Sequence, residues 1–188
     1  MDWGEAIAVE QVGEGRFRAT VDEHWTSLQG AHGGIVAALA LAATEEVLMA
    51  ADVDPATSLR AATFGYVSGN VIGALDIDVE VVRRGRAMVT THATSSQEGK
   101  TTTVCRFHHS TPWDGTDRSD APAMVPMPAD TSDLVQLHWP GVPAHLNNVT
   151  CFLDPSTTLF GGAERPEWLA WARPLEGDAF DARWLTMF

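Results

Sequence analysis

The alternation of apolar and polar positions divides the chain into a short strand, a long apolar helix and a run of further strands. From Arg16 to Val21 every second residue is apolar, with Phe17, Ala19 and Val21 on one face, so the segment reads as a half-buried strand. The cleanest two-residue period sets Leu75, Ile77, Val79 and Val81 against Asp76, Asp78 and Glu80, one face for the core and one for water. Between these segments the period disappears. From Gly33 to Ala43 (GGIVAALALAA) no side chain is charged or hydrogen-bonding. This predicts a helix that is apolar on every side and must be buried all round. The run is shorter than the roughly 20 apolar residues that span a bilayer, so protein must supply the cover. The helix is expected to continue past Glu45 and Glu46 to the neighbourhood of Ala51, where Asp52, Asp54 and Pro55 stop it.

The segments after the helix supply that cover. Leu59 to Ser68 reads as a strand, broken at Gly69 and Asn70. The alternating strand then turns through Arg83-Arg84-Gly85-Arg86, returns from Ala87 to Ser95, turns again at Gln97-Glu98-Gly99-Lys100 and leaves as Thr102 to His109. One strand, one long helix and an antiparallel meander define an α+β fold. After Ser110 the pattern changes: residues 112–143 contain six prolines among Asp, Gly and Ser and have neither period, which marks a linker. Val149 to Leu153 and Trp168 to Ala172 are strand-like. A last helix is expected to start at Gly177-Asp178, with Asp178 as N-cap and with Phe180, Trp184, Leu185 and Phe188 on one face. This tail repeats the strand-then-apolar-helix order of residues 1–51, so it reads as a second copy of the first unit that stops inside its helix. The alternative is a short C-terminal helix that packs on the sheet. The partition expected is 1–110, a Pro/Asp-rich linker over 111–145, and a partial second unit over 146–188.

Composition narrows the partners more than the fold. The 188 residues are 45% hydrophobic and 20% charged, ordinary for a globular chain. The opening MDWGEAIAVE has no basic n-region, so no signal peptide or membrane span is expected and the chain is placed in the cytoplasm. Cys105 and Cys151 lack metal-site spacing and read as buried small hydrophobes in a reducing compartment. A net charge of −13 argues against nucleic acid and against an anionic membrane surface. Lys100 is the one lysine, so an anionic ligand would need a cluster of arginines. Arg83, Arg84 and Arg86 form that cluster, and they equally suit a solvated hairpin turn. No metal and no cofactor is implied.

The candidate chemistry lies around the helix. Gly33 and Gly34 leave N–H groups at its positive end open to a ligand oxygen, a carbonyl-binding arrangement; tight packing of helix against sheet would also use them. His32 could bind that carbonyl or hold the loop, and the Gln29 amide could orient a water or remain at the surface. Glu45 and Glu46 are the nearest helical carboxylates, and they also fit a solvated helix end. Asp22-Glu23-His24 closes a strand. His108 and His109 are adjacent on the last strand and so point to opposite faces, which favours structural roles over a shared metal. There is no G-x-S-x-G elbow, phosphate loop or dinucleotide fingerprint.

Three segments in order carry a family resemblance: His24-Trp25-Thr26-Ser27-Leu28-Gln29-Gly30-Ala31-His32-Gly33-Gly34 before the helix, the strand Leu59 to Val67, and VEVVRRGRAMVTTHATSSQEGKTTTVCRF over residues 79–107. Over about residues 16–110 the chain resembles the acyl-CoA thioesterase II family of double-hotdog proteins, and residues 167–188 resemble the opening of the family's second hotdog. The resemblance implies a hotdog fold, a central helix wrapped by an antiparallel sheet, and hydrolysis of a fatty acyl-CoA to acid and CoA. In that frame His32, Gln29, Gly33, Gly34, Glu45 and Glu46 are the catalytic candidates, and Arg83, Arg84 and Arg86 would meet the CoA phosphates. Single-hotdog relatives with the same glycine approach carry an acid about two turns into the helix, where this chain has Leu39-Ala40-Leu41-Ala42. Double-hotdog members keep Asp, Thr and Gln in the second unit, near whose Asp this sequence stops. A non-catalytic acyl-CoA binder on the same fold is therefore the second reading. One hotdog unit leaves a sheet edge uncovered, so at least a homodimer is expected.

Overall fold

The computed structural model describes residues 2–113, 125–128, 130–157, 161–162, 164, 167–175 and 181–187. It forms two compact units, one from Met1–Trp113 with Phe180–Phe188, the other from Asp114–Ala179.

The first unit opens with helix α1 (Trp3–Ala6) and strands β1 (Glu10–Gly13) and β2 (Arg16–Val21). A 3-10 turn over Glu23–Trp25 and the two-residue strands β3 (Thr26–Ser27) and β4 (Gly30–Ala31) lead into the long helix α2 (Gly33–Ala50). Strands β5 (Ser58–Tyr66), β6 (Gly73–Arg84), β7 (Met88–Gln97) and β8 (Lys100–Ser110) follow. Six strands form one antiparallel sheet in the order β1-β2-β6-β7-β8-β5. Its inner face presents Phe17, Ala19, Val21, Leu75, Ile77, Val89, Ala93, Cys105 and Phe107, all buried. α2 lies against this face, with contacts to β2, β6, β7 and β8, and every residue from Gly34 to Thr44 is buried. The helix that is apolar on all sides is thus the core of the unit. It is also long and apolar enough to cross a membrane, but 67% of it is buried inside the fold. Thr44, the first polar residue after the apolar run, returns its hydroxyl proton to the Ala40 carbonyl at 2.8 Å.

The alternation fails in one place. Val81 and Val82 are exposed, although Val81 continues the apolar phase of β6. A bulge in the β6–β7 pairing between Val81 and Arg83 breaks the register there. The turn at Gln97-Glu98-Gly99-Lys100 is present, with φ of 51° at Glu98 and 74° at Gly99, the left-handed pair that a tight hairpin requires.

A third helix, α3 (Ala182–Met187), belongs to this first unit and packs along α2. Its start is held by Asp181, whose carboxylate accepts the Trp184 N–H at 2.7 Å. Leu185 is exposed and Met187 takes the inward place; Asp178, Phe180 and Phe188 lie outside the described residues. Trp184 stacks on Trp3 with ring centroids 4.0 Å apart, and Trp25 closes the cluster at 5.2 Å from Trp3. The first and last turns of the described chain therefore meet through three indoles.

The second unit contains the antiparallel sheet β11-β10-β9, formed by β9 (Val135–Gln136), β10 (Val149–Leu153) and β11 (Ala170–Pro174). Leu137, from the proline-rich stretch, packs with Cys151 and Leu153. That stretch thus contributes a strand and a core residue. The tail's strand and helix, consecutive in sequence, fall into different units.

Candidate functional site

The two ends of α2 hold the candidate residues, and they differ in kind. At the glycine end, the β3–β4 hairpin places His32 as N-cap. Its backbone N–H donates to the Trp25 carbonyl at 2.8 Å, and its Nδ1 accepts the Gly34 N–H at 3.2 Å. That bond leaves the ring proton on Nε2. The Gly33 carbonyl accepts from the Tyr66 hydroxyl at 2.9 Å. A Cβ on Gly33 would stand 2.9 Å from the Tyr66 ring, and one on Gly34 would stand 2.2 Å from the Met187 carbonyl oxygen. Close packing against backbone therefore requires Gly34, whose N–H is already taken, whereas the half-exposed Tyr66 ring beside Gly33 can shift. Gln29 is exposed at the tip of the hairpin.

At the other end, α2 closes in a Schellman motif. Val53 N–H reaches the Leu48 carbonyl at 3.1 Å and Asp52 N–H the Met49 carbonyl at 3.0 Å, with Asp52 left-handed at φ 52°. Arg84 completes the cap: its guanidinium donates to the carbonyls of Ala51 at 2.6 Å and Asp52 at 2.9 Å. The arginine turn is thus tied to the negative end of the helix, while Arg83 and Arg86 are exposed beside it.

A cavity of about 380 Å³ opens at this end, walled by Leu48, Met49, Val53, Pro55 and Leu59, with Glu45, Arg183 and His109 as its ionisable groups together with Asp54. Glu45 is half-buried, and Arg183 Nε donates to its Oε2. Burial raises the Glu45 pKa, the Arg183 charge opposing that rise. His109 is 3% exposed, and neither ring nitrogen has a hydrogen-bond partner among the described residues. Burial, with His108 alongside, pushes its pKa down to about 4, so the imidazole is neutral at physiological pH. A second cavity of about 300 Å³, lined by Arg84, Gly85, Arg86 and Met88, shares Val53, Asp54 and Thr57 with the first. Glu46 is exposed.

The structure thus puts Glu45 away from the glycines, in a cavity that shares Val53, Asp54 and Thr57 with the one that Arg84 and Arg86 line. Eleven residues at 1.5 Å rise put Glu45 about 16 Å along the helix from Gly34. Sequence reasoning missed His109 and Arg183. The signal for His109 was its two-residue phase with Cys105 and Phe107, which places it on the inner face of β8. Arg183 carried none, because its partner lies 138 positions away.

A central helix wrapped by an antiparallel sheet is the hotdog fold, and solved structures confirm the class. A hotdog-fold protein of unknown function from Alicyclobacillus acidocaldarius superposes with a TM-score of 0.83 at 18% identity, over 98% of this chain and 66% of that one. The acyl-CoA thioesterase II TesB2 of Mycobacterium marinum gives 0.69 at 21% identity, over 98% and 66%. The tesB protein of Mycobacterium avium subs paratuberculosis gives 0.65 at 15%, over 97% and 65%. The chain spans about two thirds of the length of these structures. No curated protein matches it in sequence. Residues 21–109 match the acyl-CoA thioesterase N-terminal domain.

Proposed function

We propose that this protein acts on fatty acyl-CoA thioesters, hydrolysing them to a carboxylic acid and free CoA. The observation that carries the reading is the match of residues 21–109, which contain the whole of α2 and both of its ends, to the acyl-CoA thioesterase N-terminal domain. The chemistry needs a hydrogen-bond donor for the thioester carbonyl and a base for the attacking water. It also needs apolar cover for the acyl chain and positive charge for the phosphates, and these residue types occur around α2. A second reading, an acyl-CoA binder without turnover, is favoured by one observation: the glycine end and Glu45 are too far apart to serve a single carbonyl in one chain.

The protein is proposed to work in the cytoplasm as a homodimer or larger assembly, since β1 and β5 are the edges of the six-stranded sheet. Light scattering of the purified chain tests this, and a monomer at micromolar concentration would remove the assembly from the proposal. The functional test is steady-state release of CoA thiol from short, medium and long acyl-CoAs, run beside calorimetric binding. Turnover supports the hydrolase, saturable binding without turnover the binder, and neither would sink both.

A further inference from the structure

We propose that the cavity at the C-terminal end of α2 is a binding site for a small uncharged molecule with an apolar body and one hydroxyl group, a medium-chain alcohol being the simplest example. It is separate from the thioester chemistry proposed above and stands or falls without it.

Three observations within the first unit support the site. The first is its shape and lining. At about 380 Å³ the cavity is the size of a small-ligand site, and Leu48, Met49, Val53, Pro55 and Leu59 give it largely apolar walls. Water is poorly held in such a place, because it needs about two to four polar partners, whereas an alkyl chain gains by leaving water.

The second observation is a polar group without a use. His109 lines the same cavity from β8, 3% exposed, and neither of its ring nitrogens has a hydrogen-bond partner among the described residues. A buried polar group left unpaired costs stability, and a ligand that bonds it recovers that cost. Neutral imidazole has one N–H and one bare nitrogen. A hydroxyl both donates and accepts, so it suits whichever nitrogen it meets.

The third observation is charge, which selects against acids. Glu45 is already paired with Arg183, and the exposed Asp54 adds a second carboxylate, whose Oδ1 accepts the Ala56 N–H at 2.9 Å. Arg84 and Arg86 line the neighbouring cavity and not this one. The ionisable groups here therefore carry an excess of negative charge, which an anion would enter against and a neutral molecule would not.

The test titrates the full chain with 1-octanol and with octanoate, read by calorimetry and by NMR of the histidine rings. The His109 signals are assigned by their loss in His109→Phe. 1-Octanol should saturate with a Kd on the order of 0.1 mM and should move the His109 signals. Octanoate, the same chain with a charged head, should bind at least about tenfold more weakly. His109→Phe keeps a ring and removes both nitrogens, so it should weaken 1-octanol about tenfold with an unchanged circular dichroism spectrum. Should that variant fail to fold, His109→Gln supplies the assignment and the wild-type titration decides alone. Binding of 1-octanol that leaves the His109 signals unmoved, or that His109→Phe retains within twofold, would put the ligand elsewhere and overturn the site. Octanoate binding as tightly as 1-octanol would overturn the uncharged class. No saturation up to the solubility limit of 1-octanol would overturn both.

Discussion

The two ends of α2 are built from the same helix and wrapped by the same sheet, yet one is crowded at Gly34 and the other borders a cavity. At the glycine end His32 holds the Gly34 N–H, Tyr66 holds the Gly33 carbonyl, and Met187 packs on Gly34. At the far end the backbone is equally well capped, by a Schellman motif and Arg84, but the buried His109 ring in the cavity there has no hydrogen-bond partner among the described residues. Backbone closure with side-chain deficit separates a structural helix end from one poised to hold a ligand. A pair of glycines before an apolar helix is ambiguous between donor and spacer, and here the packing distances favour the spacer.

The largest test of that contrast is steric. Gly34→Leu drives a side chain into the Met187 backbone and should cost upwards of about 3 kcal/mol. That would appear as a fall of about 10 °C in Tm. A variant of normal stability would show that the glycine end is open after all.

Nearly as large is a pH effect at the other end. The folded-state pKa of His109 lies at about 4, below the unfolded value near 6.5, so the unfolded chain takes up a proton first on acidification. The stability this represents is present above about pH 6.5 and is lost as pH falls toward 4, a change of about 3 kcal/mol. Urea unfolding of the wild type and of His109→Phe over that range should diverge by this amount, with the variant the less pH-sensitive. Parallel curves would place the imidazole in water.

Smaller effects separate the caps. Arg84→Ala frees the Ala51 and Asp52 carbonyls at an exposed site and should cost about 1 kcal/mol in denaturant unfolding. Tyr66→Phe deletes one bond to the Gly33 carbonyl at a half-exposed ring and should cost about 0.5 kcal/mol. A larger loss at Tyr66 than at Arg84 would reverse the ranking of the two ends.

Much of the fold was legible in the sequence because it rests on periodicity. The unbroken apolar run from Gly33 fixed a buried helix, and the two-residue phase of Phe17 to Val21 and Leu75 to Ile77 fixed which faces meet it. The turn at Glu98-Gly99 followed from residues that suit it. Local chemistry of this kind depends on neighbours along the chain, and one strand of text records it. Tertiary structure decided what depends on distant partners. It placed α3 with the first unit through the Trp3, Trp25 and Trp184 rings, and made a strand of Val135–Gln136. It also joined Arg183 to Glu45, and left His109 inside a cavity without a partner among the described residues. Burial and pairing between residues a hundred positions apart are set by packing, and packing is where the candidate chemistry of this protein arises.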